Sequence, residues 1–170
     1  MPSPAPIARR VPPRLAAIVL VLGMSGWFAW AHGDGAVADP MPDFATLARA
    51  SSPNSYLVLP PGFASPVAAD AESPVYPVPV AVLEEAALAA IRAQPRVVAV
   101  AGDPVARQYA FVQRTPVLRF PDTVTVRFVD LGGQSSLALF SRSKYGRSDL
   151  GVNRARVEAW LAAIRANLPE

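Results

Sequence analysis

The chain has 170 residues but no cysteine, one histidine and one lysine. Without cysteine no disulfide can form, so a folded domain must rest on its apolar core. The single histidine, His32, follows directly on an apolar run near the N-terminus. A Ser-His-Asp or Cys-His catalytic set and a zinc site built on histidine or cysteine are thereby excluded. Neither a phosphate-cradling G-x-x-x-x-G-K-[ST] loop nor a G-x-G-x-x-G turn is present, and no cofactor is expected. A concentration of positive charge is also missing. The sequence pI is 9.8, yet three of the 16 basic residues, Arg9, Arg10 and Arg14, lie at the extreme N-terminus. From Asp39 onward 13 basic residues face 12 acidic ones. A nucleic-acid partner calls for a dense basic face, so none is expected.

What the chain does have begins with an uncharged run of 17 residues, 15–31, LAAIVLVLGMSGWFAWA. As a helix it would span roughly 25 Å, slightly less than the hydrocarbon core of a bilayer. Arg14 can snorkel at one end, and Trp27 and Trp30 suit the headgroup zone at the other. The three arginines before the run predict a cytoplasmic N-terminus and an exported remainder. Ala36-Val37-Ala38 also fits a signal-peptidase site. The run is therefore read as a single transmembrane anchor, or as a signal core cleaved after Ala38. Either way the rest of the chain is expected outside the cytoplasm, tethered to the cytoplasmic membrane or free in the periplasm.

Residues 1–14 hold five prolines and three arginines and are expected to be a disordered cytoplasmic tail. Residues 32–79 read as a proline-rich extended arm, since proline excludes regular helix and central strand. Within it, residues 43–49 suit a helical turn or two capped by Asp43, and residues 56–59 a short strand. From residue 80 to 170 the pattern is regular. Val82, Leu83, Ala86, Ala87, Ala90 and Ile91 recur at helical spacing until Pro95 stops the helix. Strands follow at 96–101, 107–115, 123–130 and 135–145. In the third, Val124, Val126 and Phe128 alternate with Thr123, Thr125 and Arg127. Gly132-Gly133 marks a hairpin. The final helix, about 151–167, has the stripe Val157, Trp160, Leu161, Ile164 and Leu168. The order predicts an α+β fold: an antiparallel sheet of four to five strands with both helices on one face.

The most informative stretch is SRSKYGRSDLGVNRARVE, residues 141–158, which joins the last strand to the last helix. Asp149 suits the helix start, where the amides near Gly151 and Val152 carry a positive potential. Arg142, Arg147 and Arg154 surround that end, with Asn153 on its first turn and Arg119 in the earlier 118–122 segment. A helix start ringed by arginines suits a phosphate or carboxylate group, which makes Arg119, Arg142, Arg147, Asp149, Asn153 and Arg154 the candidate binding residues. The competing reading pairs the arginines internally with Asp149, Asp122 or Glu158, locking the last helix to the sheet. Asp103, Asp122, Asp130 and Asp149 lie at strand ends, where a carboxylate or metal site could form, but each also borders a turn or helix start, where aspartate is common.

The chain resembles the domain-of-unknown-function 1499 family over about residues 42–168. The resemblance rests on Asp43-Phe-Ala-Thr-Leu47, Pro53-Asn54, Ser73-Pro-Val-Tyr76, Arg114-Thr115, Leu118-Arg-Phe-Pro-Asp122 and, most specifically, Ser141-Arg-Ser with GRSDLGVNR at 146–154 and Arg156. It implies a small exported or membrane-attached bacterial domain, with relatives in plastids, and no reaction, cofactor or substrate. The reading is a non-enzymatic, membrane-tethered envelope domain that binds a small anionic or amphipathic ligand or a protein partner. The alternatives are an aspartate-based, possibly metal-assisted hydrolase, and a scaffold that uses the proline-rich arm.

Overall fold

A computed structural model describes residues 40–169. The expected tail and the apolar run at 15–31 lie outside them. No helix among the described residues is long and apolar enough to cross a membrane.

Eight elements follow in order: β1 (Ser55–Leu59), β2 (Ala71–Glu72), α1 (Val80–Arg92), β3 (Val97–Asp103), β4 (Gln108–Arg114), β5 (Pro121–Asp130), β6 (Ser135–Ser143) and α2 (Val152–Ala166). The six strands form one sheet in the order β2-β1-β6-β5-β4-β3. The β3 to β6 run is a meander made by local chemistry. The Asp103 carboxylate accepts the amides of Val105 and Ala106 in the first turn. Gly132 and Gly133, both at positive φ, make the tight β5–β6 reversal, closed by the Leu131 amide donating to Gln134 at 2.9 Å. Two consecutive positive φ values are what a hairpin of this hand requires.

The expected α+β class holds, but the sheet has six strands rather than four or five, and it is mixed rather than antiparallel. β1 pairs antiparallel with β6 through Ser55–Arg142 to Val58–Leu139, and parallel with β2 through Val58–Ala71 and Leu59–Glu72. β1, expected as a short strand at 56–59, and β2, which was not expected, both lie inside the proline-rich segment, between its prolines. A parallel pair needs a crossover, and residues 60–70 supply it. Residues 43–46 form a turn rather than a longer helix, with the Asp43 carboxylate accepting the Ala45 amide at 3.0 Å.

Two cores result, one on each face of the sheet. On one face α1 and α2 pack over Tyr109, Phe111, Val124, Val126, Phe128, Leu137 and Leu139. Leu83, Ala87 and Ile91 of α1 and Val157, Trp160 and Ile164 of α2 are buried there. The Trp160 ring meets Phe111 edge-on, with centroids 5.9 Å apart. Burying each such large side chain contributes about 1.5–3 kcal/mol. On the other face Phe44 and Leu47, with Phe63 and Val67 of the crossover, pack against Leu57, Leu59, Ala138 and Phe140. The proline-rich segment thus covers its own sheet.

Candidate functional site

The motif residues converge where β4, β5 and β6 meet the start of α2. Each element brings its member by continuing the register that faces the helices. Asp122 precedes Val124, Val126 and Phe128 on β5, Gln113 follows Tyr109 and Phe111 on β4, and Ser141 follows Leu137 and Leu139 on β6. On α2, Asn153 and Arg156 extend the stripe of Val157, Trp160 and Ile164. The core therefore ends in a polar layer, and the side chains in it must satisfy one another.

They do so around Arg156. Its guanidinium forms an ion pair with Asp122 and donates to Gln113 Oε1 at 2.9 Å, Ser141 Oγ at 2.9 Å and Asn153 Oδ1 at 2.7 Å. Arg156 is 8% exposed and Asp122 2%. The Ser141 hydroxyl donates to Asn153 Oδ1 at 2.6 Å. The Asn153 side-chain amide donates to Asp149 Oδ2 at 2.6 Å, Ser143 Oγ at 3.0 Å and the Asn54 carbonyl at 2.9 Å. Asn54 closes the layer from the N-terminal side. Its side-chain amide donates to the Gly146 carbonyl at 3.0 Å, and its carbonyl accepts the Ser143 amide at 2.9 Å. Sheet, last helix and proline-rich segment are thus held by one buried network.

The start of α2 already holds an anion, and it is the chain's own. Asp149 accepts the Gly151 amide on Oδ1 at 3.0 Å and the Asn153 amide on Oδ2 at 2.9 Å. Burial pushes the Asp149 carboxyl up, but these amides and the Asn153 side chain outweigh it and hold the pKa below the usual aspartate value. Gly151 has φ +83, a conformation in which a Cβ would be costly.

The six residues expected to bind an anion therefore divide. Asp149 and Asn153 belong to the buried network. Arg154 is exposed and pairs along the helix with Glu158 at 2.8 Å. Arg142 is half-buried on the opposite register of β6 and is engaged. Arg147 and Arg119 are exposed, on the β6–α2 and β4–β5 connections. The structure brings Asp149 and Asn153 together and leaves the four arginines dispersed around them. Arg156, at the centre of the network, was not among the six. Its signal was the stripe of α2, because a polar residue one turn ahead of Trp160 on that face must be buried.

The four strand-end aspartates do not converge. Asp103 and Asp130 serve turns at one end of the sheet, whereas Asp122 and Asp149 lie at the other. No group of three or more histidine, cysteine, aspartate or glutamate side chains suited to a metal occurs among the described residues. Two further polar features lie elsewhere. Glu84 of α1 pairs with Arg107 and accepts the Tyr109 hydroxyl at 2.5 Å. Burial, the hydrogen bond to Glu84 and its charge push the Tyr109 pKa up to about 12. An open groove of about 290 Å³ is lined by Met41, Asp43, Asp103, Ala106, Gln108 and Arg127, but Asp43 and Asp103 are both spent on local turns.

Two solved structures are similar to the chain, each over 56% of its length. One is described as the di-domain ARO/CYC BexL from the BE-7585A biosynthetic pathway, with 16% identity and a TM-score of 0.42. The match covers 44% of that chain, so the present chain spans less than half of its length. The other is Ara h 8.0201, with 13% identity and a TM-score of 0.41, covered over 92% of its length. No curated protein matches the chain. The residues of the buried network, from Asn54 through Asp122 and Ser141 to Arg156, all fall within residues 50–164, the span over which the chain matches the family described as protein of unknown function DUF1499. With more than half of its length matched, the chain belongs to that family.

Proposed function

We propose that the protein is a membrane-tethered, extracytoplasmic binding domain without catalytic activity of its own, and that it works through its surface. The observation that supports this is the inward commitment of the motif. Arg156, Asp122, Ser141, Asn153 and Asp149 are spent on one another, and the helix start that would clamp an external anion carries Asp149 instead. A small ligand enclosed between helices and sheet would need space that core side chains occupy, from Leu83 and Ile91 to Phe111 and Trp160. The binding reading therefore narrows to the surface. An aspartate-based hydrolase would need carboxylates in one cleft, whereas the strand-end aspartates serve opposite ends of the sheet. A scaffold reading of the proline-rich segment is disfavoured because Phe44, Leu47, Phe63 and Val67 are packed on the chain's own sheet.

The tether rests on the apolar run at 15–31 and the arginines before it. The test is alkaline carbonate extraction of membranes from cells expressing the full chain, with protease added outside intact spheroplasts. The expected result is a chain that stays with the membrane and loses its C-terminal domain to external protease. Release by carbonate, or complete protection, would contradict the proposal.

A further inference from the structure

The loops at the α2 end of the sheet carry a surface that the buried network does not use. The β4–β5 connection, residues 115–120, is closed at its base. The Thr115 amide donates to the Phe120 carbonyl at 3.0 Å, and the Phe120 amide donates to Thr115 Oγ1 at 2.9 Å. The closed loop holds Val117 and Leu118 outward, 85% and 66% exposed. On the β6–α2 connection Leu150 is 94% exposed. Phe120 and Tyr145, both exposed, join the two loops by a ring contact with centroids 6.0 Å apart.

This composition is unusual for loop tips, which normally carry polar turn residues. It is also costly locally. Leu150 has φ +52 and Arg119 φ +57, where a side chain strains the backbone, and Leu150 gains no burial in return. Strain at Leu150 that burial does not repay points to a functional constraint.

Among the described residues, the exposed charge beside them is positive. Arg119, Lys144 and Arg147 are exposed and form no ion pair among the described residues. The acids at this end face inward, Asp122 to Arg156 and Asp149 to the α2 amides. We propose that this end of the domain docks on an anionic lipid bilayer. Val117, Leu118 and Leu150 enter the boundary between headgroups and acyl chains. Phe120 and Tyr145 lie at headgroup level, and Arg119, Lys144 and Arg147 face lipid phosphates.

A bilayer suits this surface better than a protein does. The apolar side chains project from separate tips rather than forming one flat face. Aliphatic tips flanked by aromatics and cations match the depth profile of a bilayer interface instead.

The inference rests on the surface-binding reading above, and its test uses the absence of native cysteine. Single cysteines replace Val117, or Val105 on the exposed β3–β4 turn at the other end of the sheet. Each carries an environment-sensitive fluorophore. The full chain is reconstituted in vesicles of phosphatidylcholine, with or without phosphatidylglycerol, that contain doxyl-labelled quencher lipid. The expected result is quenching at 117 but not at 105, only with phosphatidylglycerol, and reversed by high salt. Arg119→Gln and Arg147→Gln should each shift the docked fraction about fivefold toward the undocked state. Both side chains are exposed and outside the buried network, so the variants should fold. No quenching at 117 in anionic vesicles, equal quenching at both positions, or equal quenching in neutral and anionic vesicles would each overturn the docking. Carbonate release would sink the tether alone, and a silent label at 117 the docking alone.

Discussion

Arg156→Ala tests the buried network most severely. The guanidinium has four side-chain partners, Asp122, Gln113, Ser141 and Asn153. Truncating it leaves the Asp122 carboxylate, 2% exposed, with its charge uncompensated. It also removes the donor to Ser141 and Asn153. Removing one partner of a buried ion pair costs about 3–5 kcal/mol, a large share of the ~5–15 kcal/mol that holds a typical domain. Asp122→Asn should cost less, because Arg156 keeps Ser141 and Asn153 as acceptors and the substituted amide still offers a carbonyl oxygen. The double variant Arg156→Ala/Asp122→Asn should cost less than the sum of these two single changes, with a coupling of roughly 0.5–3 kcal/mol. The assay is urea unfolding of the detergent-solubilised chain followed by circular dichroism. A cost for Arg156→Ala below ~1 kcal/mol, the range of an exposed pair, would refute the reasoning.

Three further outcomes follow from the same geometry. Asp149→Asn should destabilise by roughly 0.3–1 kcal/mol, the usual worth of a negative charge at a helix start. Because the folded pKa of Asp149 is depressed, its contribution is present above the ordinary aspartate value of about 3.9 and lost as pH falls through the lower folded value. The stability gap between wild type and Asp149→Asn should therefore shrink below about pH 4, as read by urea melts across pH. Tyr109, with its pKa raised to about 12, should ionise well above the ordinary tyrosine value of about 10 in an ultraviolet titration, and the corresponding stability should decline only as pH rises from about 10 toward 12. Tyr109→Phe should remove that late step. Leu150→Gly should relieve the strain at φ +52, raising stability by roughly 0.5–1 kcal/mol while weakening vesicle docking.

The helices and the meander were legible in the sequence because their periodicity is local. Val124, Val126 and Phe128 declare a half-buried strand within five residues, and Val157, Trp160 and Ile164 declare one face of a helix. β1 was legible as a short strand, but its place between β2 and β6 was not. Its partner Arg142 lies far along the chain, and long-range pairing leaves no local period. β2 has only two residues, too few to carry any pattern. The second core escaped for the same reason, since Phe44, Leu47, Phe63 and Val67 sit among prolines without helical or strand spacing.

At the candidate site, both readings of the 141–158 run were available from the sequence. Burial divides the run, with Asn153 and Arg156 turned inward and Arg147 and Arg154 exposed. Counting each element's core-facing register one step further would have placed Asp122, Gln113, Ser141, Asn153 and Arg156 in one layer, and buried polar groups in one layer must pair. The exposed Val117, Leu118 and Leu150 escaped, because an apolar residue in a sequence reads as core until the fold shows that it has no neighbours.

The buried network around Arg156 locks the last helix to the sheet, and Asp149 occupies the place at the start of α2 that an external anion would take. Titrating the isotopically labelled chain with inorganic phosphate, and following the Gly151 and Asn153 amides by nuclear magnetic resonance, tests it most directly. Both amides should stay in place through millimolar phosphate and move only when pH falls far enough to protonate Asp149. Saturable movement of these amides with phosphate at neutral pH would contradict it, because an external anion would then be taking the place assigned to the chain's own carboxylate.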